Sequence, residues 1–172
     1  MLHLQRRVRP TDSNWVQPMF SRDHIYWKFG MASEAAQLLE TELGNVLLGH
    51  QASSEGLVAS PNPERAKEIL NKINKSTLGR LVRSLGDSEA AVPELGGQLD
   101  HALSERNRLA HMFFRQHNFR ISSVEGRTAM YRDLEGIHEV ILNAYKALIL
   151  ATQGIDLDDI DPPPLPTHHV PI

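Results

Sequence analysis

The sequence predicts an all-α protein, and three observations support this fold class. Apolar residues recur at intervals of three and four along several long segments, which is the spacing that gives a helix one buried face. No segment shows the sustained apolar–polar alternation of a strand, and stretches rich in Ser, Gly and Pro separate the periodic segments. We therefore expect an up-and-down bundle of four main helices over residues 31–154, with an irregular arm at 1–30 and a flexible tail at 155–172.

The first helix is expected to begin near Ala32. Residues 1–30 mix both tryptophans with polar residues and show no clean period, so we interpret them as an irregular arm that packs loosely on the bundle, with a short helical piece within it as the alternative. Ser33 is a candidate N-cap because its hydroxyl oxygen can accept from a free backbone N–H of the first turn. The apolar stripe that follows consists of Ala35, Leu39, Leu43, Val46 and Leu47.

The second helix has clear start signals in the sequence. In NPERAKEILNKIN, Asn62 can cap the helix and Pro63 suits its first position. The residues expected to be buried are Ala66, Ile69, Leu70 and Ile73. A second short helix, or a bent continuation of the same one, follows in KSTLGRLVRSLGD, where Gly86 is a suitable stop. Its apolar face consists of Leu78, Leu81, Val82 and Leu85.

The third helix is expected from about Glu89 to His117, and its stripe contains a charge. The positions at core spacing are Val92, Leu95, Leu99, Leu103 or Ala102, Arg106, Ala110 and Phe113. The fourth helix is expected from Val124 to about Gln153, with Ser122 or Ser123 as N-cap and Gly154 at its end. The tail is first acidic and then proline-rich (DLDDIDPPPLPTHHV), a composition that cannot build a core.

Composition excludes several functional classes. The chain has no cysteine, which rules out disulfides, cysteine-ligated zinc and a thiol nucleophile. Its formal net charge is −3, so any contact with nucleic acid must come from a local basic patch. No run of about 18 apolar residues and no secretory signal is present, so we expect a cytoplasmic protein without a membrane partner.

Such a basic patch lies in the third helix and at its exit. Between His101 and Arg120 the chain carries four arginines and three histidines. Asn107 and His111 are four residues apart and point to nearly the same side of the helix. Arg106 lies about 140° around the helix from His111. Either its long side chain bends toward the side of Asn107 and His111, or a second copy of the helix completes the site. Phosphate contacts are expected from Arg108, Arg115, His117 and Arg120.

These residue types permit a specific reaction. A histidine moves protons near neutral pH, and an arginine holds a phosphate and stabilises its developing charge. RNA supplies its own nucleophile, the 2′-OH, so Arg106, Asn107 and His111 could cleave it to a cyclic phosphate without metal or cofactor. The alternative from residue types alone is that Arg106 is a packing residue paired with a carboxylate, for which Glu135 or Glu139 is suitable.

The segment LDHALSERNRLAHMFFR resembles the motif helix of the HEPN superfamily (higher eukaryotes and prokaryotes nucleotide-binding). The family motif is an Arg, usually followed by a polar residue such as Asn, and a His four to six residues beyond, which matches Arg106, Asn107 and His111. The resemblance covers about 17 residues closely, and the helical organisation over about 32–153 agrees with the family fold. Some toxin members carry a Tyr three residues after the His, where this chain has Phe114, so modification at that position is not expected.

The resemblance implies a homodimer in which both motif helices build one cleft. Many members are metal-independent endoribonucleases in toxin–antitoxin, phage-defence or CRISPR systems, while others are inactive modules that bind RNA, a nucleotide or a protein. No nucleotidyltransferase or other effector segment is recognised in this sequence, so an antitoxin or regulator would be a separate protein. We carry three hypotheses: a HEPN-type ribonuclease, an inactive HEPN-like binding module, and a plain structural bundle.

Overall fold

The computed structural model describes residues 20–88 and 90–160 of the chain, and this part is entirely helical apart from its connections. The α-helices are α1 (Arg22–Ser54), α2 (Pro63–Asn74), α3 (Leu78–Gly86), α4 (Gly96–His111), α5 (Phe113–His117) and α6 (Val124–Gln153). Short 3-10 segments span Pro93–Leu95 and Asn118–Ser122. The predicted all-α class is confirmed. Most of the predicted arm, the proposed start of the third helix at Glu89 and most of the tail lie outside the described residues.

Helix α1 begins ten residues before the predicted start, so the predicted arm is wrong over residues 22–30. Ser21 caps it: the Ser21 hydroxyl accepts from the His24 backbone N–H, and the His24 side chain accepts from the Ser21 N–H. Ser33 is not a cap, because it lies inside the helix and its hydroxyl donates to the Phe29 carbonyl. The apolar spacing of this part of α1 was not visible in the sequence, because a charged residue, Lys28, is buried and an aromatic residue, Tyr26, is exposed.

Helices α2 and α3 follow the local start and stop signals. The Asn62 side chain accepts from the Arg65 backbone N–H at 3.0 Å, as predicted for an N-cap. The predicted apolar face of α2 is only partly correct, since Ile69 is buried whereas Ala66 and Leu70 are exposed. Helix α3 is a separate helix that buries Leu78, Leu81 and Leu85.

The predicted third helix is divided into three pieces. The 3-10 turn Pro93–Leu95 leads into α4, and the helix is interrupted at Met112 before α5 begins. The buried residues of this unit are Leu95, Leu99, Ala102, Leu109, Phe113 and His117. Arg106 is only partly buried and Ala110 is exposed, so neither belongs to the core stripe as predicted. The core position on this turn is taken by Leu109.

Helix α6 matches its predicted limits and provides the centre of the core. The Ser123 hydroxyl accepts from the Gly126 N–H at 3.0 Å, and Gly154 ends the helix in the left-handed conformation with φ 69°. Its buried stripe consists of Gly126, Met130, Leu134, Ile137, Ile141, Ala144, Leu148 and Ile149. Helix α6 packs mainly along α1 and also against α4, while α3 packs on α1.

This arrangement places α4 at the surface beside α1, with α6 beneath it. Within the described residues, no helix is both long enough and apolar enough to cross a membrane. The predicted site residues lie on α4, on α5 and in the 3-10 turn that follows α5.

Candidate functional site

Arg106 lies at the edge of α4, where its guanidinium reaches two polar partners. Nη1 donates to Asn107 Oδ1 at 3.2 Å, and Nη2 lies 3.5 Å from Glu40 Oε2 on α1. The carboxylate partner is therefore on α1, and the predicted partners Glu135 and Glu139 on α6 are wrong. The Arg106 side chain remains 26% exposed, so the charge has access to solvent and is not held in a dry core.

Asn107 and His111 both face solvent on α4, one turn apart. His111 is the last residue of α4, and its side chain makes no hydrogen bond or ion pair within the described residues. Arg106 bends toward Asn107, which is the first of the two geometries expected from the sequence. The structure thus brings the Arg106 guanidinium beside the Asn107 amide, and the exposed His111 lies one turn further along the same helix.

Arg108 is partly buried and pairs with two carboxylates of the same chain. Its Nη1 and Nη2 donate to the two carboxylate oxygens of Asp133 on α6, at 2.8 and 2.9 Å. Its Nε and Nη2 also donate to Glu105 at 3.0 and 2.6 Å. Arg108 holds the pKa of Asp133 below its usual value, against an opposing effect of burial. Four of the five N–H donors of Arg108 therefore have acceptors in this conformation, and its predicted phosphate contact, which would compete with them, stays a prediction.

His117 is likewise an internal residue, since it is only 6% exposed. Its Nε2 lies 2.7 Å from Asp133 Oδ2, and its ring centroid lies 4.6 Å from that of Phe113. An ionised carboxylate only accepts hydrogen bonds, so Nε2 carries the proton; in the neutral ring Nδ1 is then the acceptor facing Arg120 Nη1 at 3.4 Å. The ring is buried in this network, so the predicted phosphate contact of His117 would require the ring to leave Asp133, and that contact stays a prediction.

The remaining basic residues stay at the surface. Arg115 on α5 and Arg120 in the following 3-10 turn are both exposed, as is His111. Arg115 has no ion-pair partner among the residues that the structure describes. Of the four predicted phosphate contacts, Arg115 and Arg120 are therefore the two that a ligand can reach.

Two acidic partners in this region, Glu40 and Asp133, were not predicted from the sequence. Glu40, Glu105 and Asp133 set the charge around α4, yet Glu40 and Asp133 lie far from it along the chain. Only Glu105 carries a local signal, because it lies three residues before Arg108 on the same helix. The acids reduce the positive charge of α4, so the exposed basic surface is smaller than the count of arginines suggested.

Comparison of the chain with protein-family models, curated proteins and solved structures finds no match. In the described part of the chain, no three His, Asp or Glu side chains gather as ligands for a metal ion. The chemistry offered by this surface consists of an exposed imidazole, an exposed amide, a partly exposed guanidinium, and the two arginines Arg115 and Arg120.

Proposed function

We propose that the chain is a metal-independent endoribonuclease of the HEPN type that acts as a homodimer, in a toxin or phage-defence role. One observation carries the proposal: the partly exposed Arg106 guanidinium contacts Asn107 on α4, and the exposed His111 lies one turn after Asn107 on the same helix. In this proposal α1, the α2–α3 pair, α4 and α6 correspond to the four arms of a HEPN-like bundle. A separate antitoxin or regulatory protein would control the activity.

The proposed reaction is attack of a ribose 2′-OH on the adjacent phosphate. The 2′-oxygen forms a bond to phosphorus while the bond to the 5′-oxygen breaks, which leaves a cyclic phosphate and a 5′-hydroxyl. His111 takes the proton of the 2′-OH or supplies the proton of the leaving oxygen, since imidazole exchanges protons near neutral pH. Arg106 stabilises the charge that develops on the phosphate, and Asn107 orients it. DNA lacks the 2′-OH and would not be cleaved.

The homodimer would supply what one protomer lacks. A single α4 presents one copy of His111 beside the Arg106–Asn107 pair, whereas a two-fold contact between motif helices would bring two His111 imidazoles and two Arg106 side chains to one cleft. In this arrangement one His111 serves as base and the other as acid. Positive charges of two copies repel each other in the empty cleft, so phosphate or RNA should stabilise the dimer.

The second candidate is an inactive HEPN-like module that binds RNA, a nucleotide or a protein. The observation that favours it is Glu40, whose carboxylate lies 3.5 Å from the Arg106 guanidinium and competes with a phosphate. A carboxylate paired with Arg106 inside one protomer is also what a plain structural bundle would contain. The pair is long and partly exposed, however, and such pairs contribute little to stability.

The decisive experiment compares cleavage of RNA in EDTA by the unaltered protein and by His111→Ala. We expect cleavage by the unaltered protein, with cyclic phosphate ends, and none by the variant. His101→Ala is the matched control, because His101 is also exposed on α4 but two to three turns from His111. Absence of cleavage by the unaltered protein, or equal cleavage by His111→Ala, contradicts the ribonuclease. Binding without turnover that His111→Ala leaves unchanged supports the inactive module.

A further inference from the structure

Two aromatic rings meet at the surface where α4 passes into α5. Tyr26 on α1 is 56% exposed and Phe114 on α5 is 41% exposed. Their ring centroids lie 6.2 Å apart with an interplanar angle of 37°, so the two rings form one tilted, solvent-facing surface. The pair therefore presents two aromatic faces to a ligand from solvent.

The pair is supported from within the protein. Phe29 and Phe113 each place a ring centroid 5.2 Å from that of Phe114, and Phe113 is only 1% exposed. Phe114 is thus held by a buried ring and by a second ring on α1. A ring that is already fixed loses little conformational entropy when a ligand stacks on it.

The surroundings leave room for a flat, anionic ligand. Gly30 lies one turn after Tyr26 on α1, and no other residue comes within 4 Å of where its side chain would begin. Arg115 follows Phe114 directly, and His111 precedes Phe114 by three residues. On α1, Lys28 near Tyr26 is almost fully buried, whereas Arg115 beside Phe114 is exposed, so the accessible arginine next to the ring pair is on α5.

We propose that Tyr26 and Phe114 form a stacking subsite for a base of single-stranded RNA, adjoining Arg106, Asn107 and His111. This inference rests on the proposed ribonuclease function and assigns the part of the substrate that α1 and α5 bind. Every nucleobase has a flat π-face, so aromatic side chains bind single strands with little dependence on sequence. The phosphate beside the stacked base would lie near Arg115.

The test uses a short single-stranded RNA that contains 2-aminopurine, whose fluorescence falls when it stacks on an aromatic ring. All proteins carry His111→Ala so that the RNA is not cleaved, and each is the full chain. Tyr26→Leu and Phe114→Leu keep apolar bulk but remove the π-face. We expect each to bind about 5- to 150-fold more weakly and to lose the fluorescence change. Phe119→Leu is the control, since Phe119 is 81% exposed and has no ring partner among the described residues.

A second variant tests the site without removing a ring. Gly30→Leu places a side chain into open space one turn from Tyr26, so it should fold and yet weaken RNA binding. Circular dichroism verifies the helix content of each variant. When an abasic nucleotide replaces 2-aminopurine, no base can stack on the rings. The parent, Tyr26→Leu and Phe114→Leu should then bind this RNA with equal affinity.

The outcomes separate this inference from the ribonuclease itself. If the parent binds RNA and the ring variants bind it equally well, the stacking subsite is wrong and the ribonuclease is unaffected. If the ring variants bind more weakly but the protein with His111 intact cleaves no RNA, the subsite stands and the ribonuclease is wrong. If the ring variants instead turn a dimer into a monomer in sedimentation, the rings belong to a protein interface and the subsite is wrong.

Discussion

The Arg106 guanidinium lies 3.5 Å from the Glu40 carboxylate, so the cation proposed to bind phosphate already has an anion beside it. The two side chains are 26% and 31% exposed, and they join α4 to α1. Partly exposed ion pairs of this length contribute little to stability, on the order of 0.2–1 kcal/mol. A phosphate that binds Arg106 as proposed would therefore have to displace Glu40 from a weak ion pair.

Removing the charge of Glu40 should strengthen RNA binding. Glu40→Gln leaves the shape of the side chain but no longer competes for Arg106, so we expect a several-fold lower Kd for RNA in low salt. The change in the free energy of unfolding should stay below about 1 kcal/mol. Glu34→Gln is the control, because Glu34 is exposed on the same helix and makes no ion pair within the described region. An unchanged or weaker affinity in Glu40→Gln would mean that Arg106 does not contact the RNA.

Arg106→Ala should leave the fold intact and abolish RNA cleavage. The side chain lies outside the buried stripe of α4, so its removal creates no cavity in the core. We expect the circular dichroism spectrum to be unchanged and the dimer to be kept or strengthened, since two positive charges leave the cleft. Sedimentation measures the dimer. If the variant unfolds, Arg106 is a structural residue and the ribonuclease loses its main support.

Asp133 should be a structural residue, because it joins α4, α5 and α6. Asp133→Ala removes the acceptor of Arg108 and of the buried His117, and we expect it to lower the free energy of unfolding by about 2–3 kcal/mol. Glu135→Ala, on an exposed site of α6, should have a much smaller effect in the same urea titration. Because the pKa of Asp133 is lowered in the fold, its stabilising effect is present above the unfolded pKa and lost as pH falls through the folded one. Equal effects of the two variants would contradict this role.

His138 should make the fold less stable in mild acid. Its Nδ1 lies 3.2 Å from the Nζ of Lys28, which is only 9% exposed. Burial and then the Lys28 charge lower the pKa of His138, with Glu34 opposing. The unfolded chain therefore takes up this proton first, and stability falls as pH drops below about 6.5 toward the lower folded pKa. In urea titrations at pH 8 and pH 5.5, His138→Gln should lose less stability than the unaltered protein; an equal loss would exclude this pair as the cause.

Two glycines of α6 should respond in opposite ways to alanine. A Cβ at Gly126 would lie 2.0 Å from the backbone oxygen of Arg120, so Gly126→Ala must displace the preceding 3-10 turn and should destabilise the fold by about 1–3 kcal/mol. A Cβ at Gly136 meets no other residue within 4 Å, so Gly136→Ala should stabilise the helix by about 0.5–1 kcal/mol. Thermal unfolding compares them, and a stabilised Gly126→Ala would show that no close approach exists there.

Local sequence signals were sufficient to predict the helix ends that capping residues determine. Ser123 and Gly154 limit α6, and Asn62 with Pro63 begins α2, because caps act on backbone groups within one turn. The same reasoning failed at Arg22, where Ser21 also caps a helix, because Lys28 on a buried position concealed the apolar period. The residues of the proposed site, Arg106, Asn107 and His111, came from a motif within one helix, so their place on α4 followed from sequence alone.

What the sequence could not determine is which charges on α4 remain free. Arg108 and Arg106 look alike along the chain, yet Arg108 lies over α6 and pairs with Asp133, whereas Arg106 lies toward α1 and only approaches Glu40. His117 seemed a surface ligand but is buried beside Phe113. These differences depend on how α1, α4 and α6 pack, because an ion pair between helices requires a partner brought close by tertiary contacts and not by spacing along the sequence.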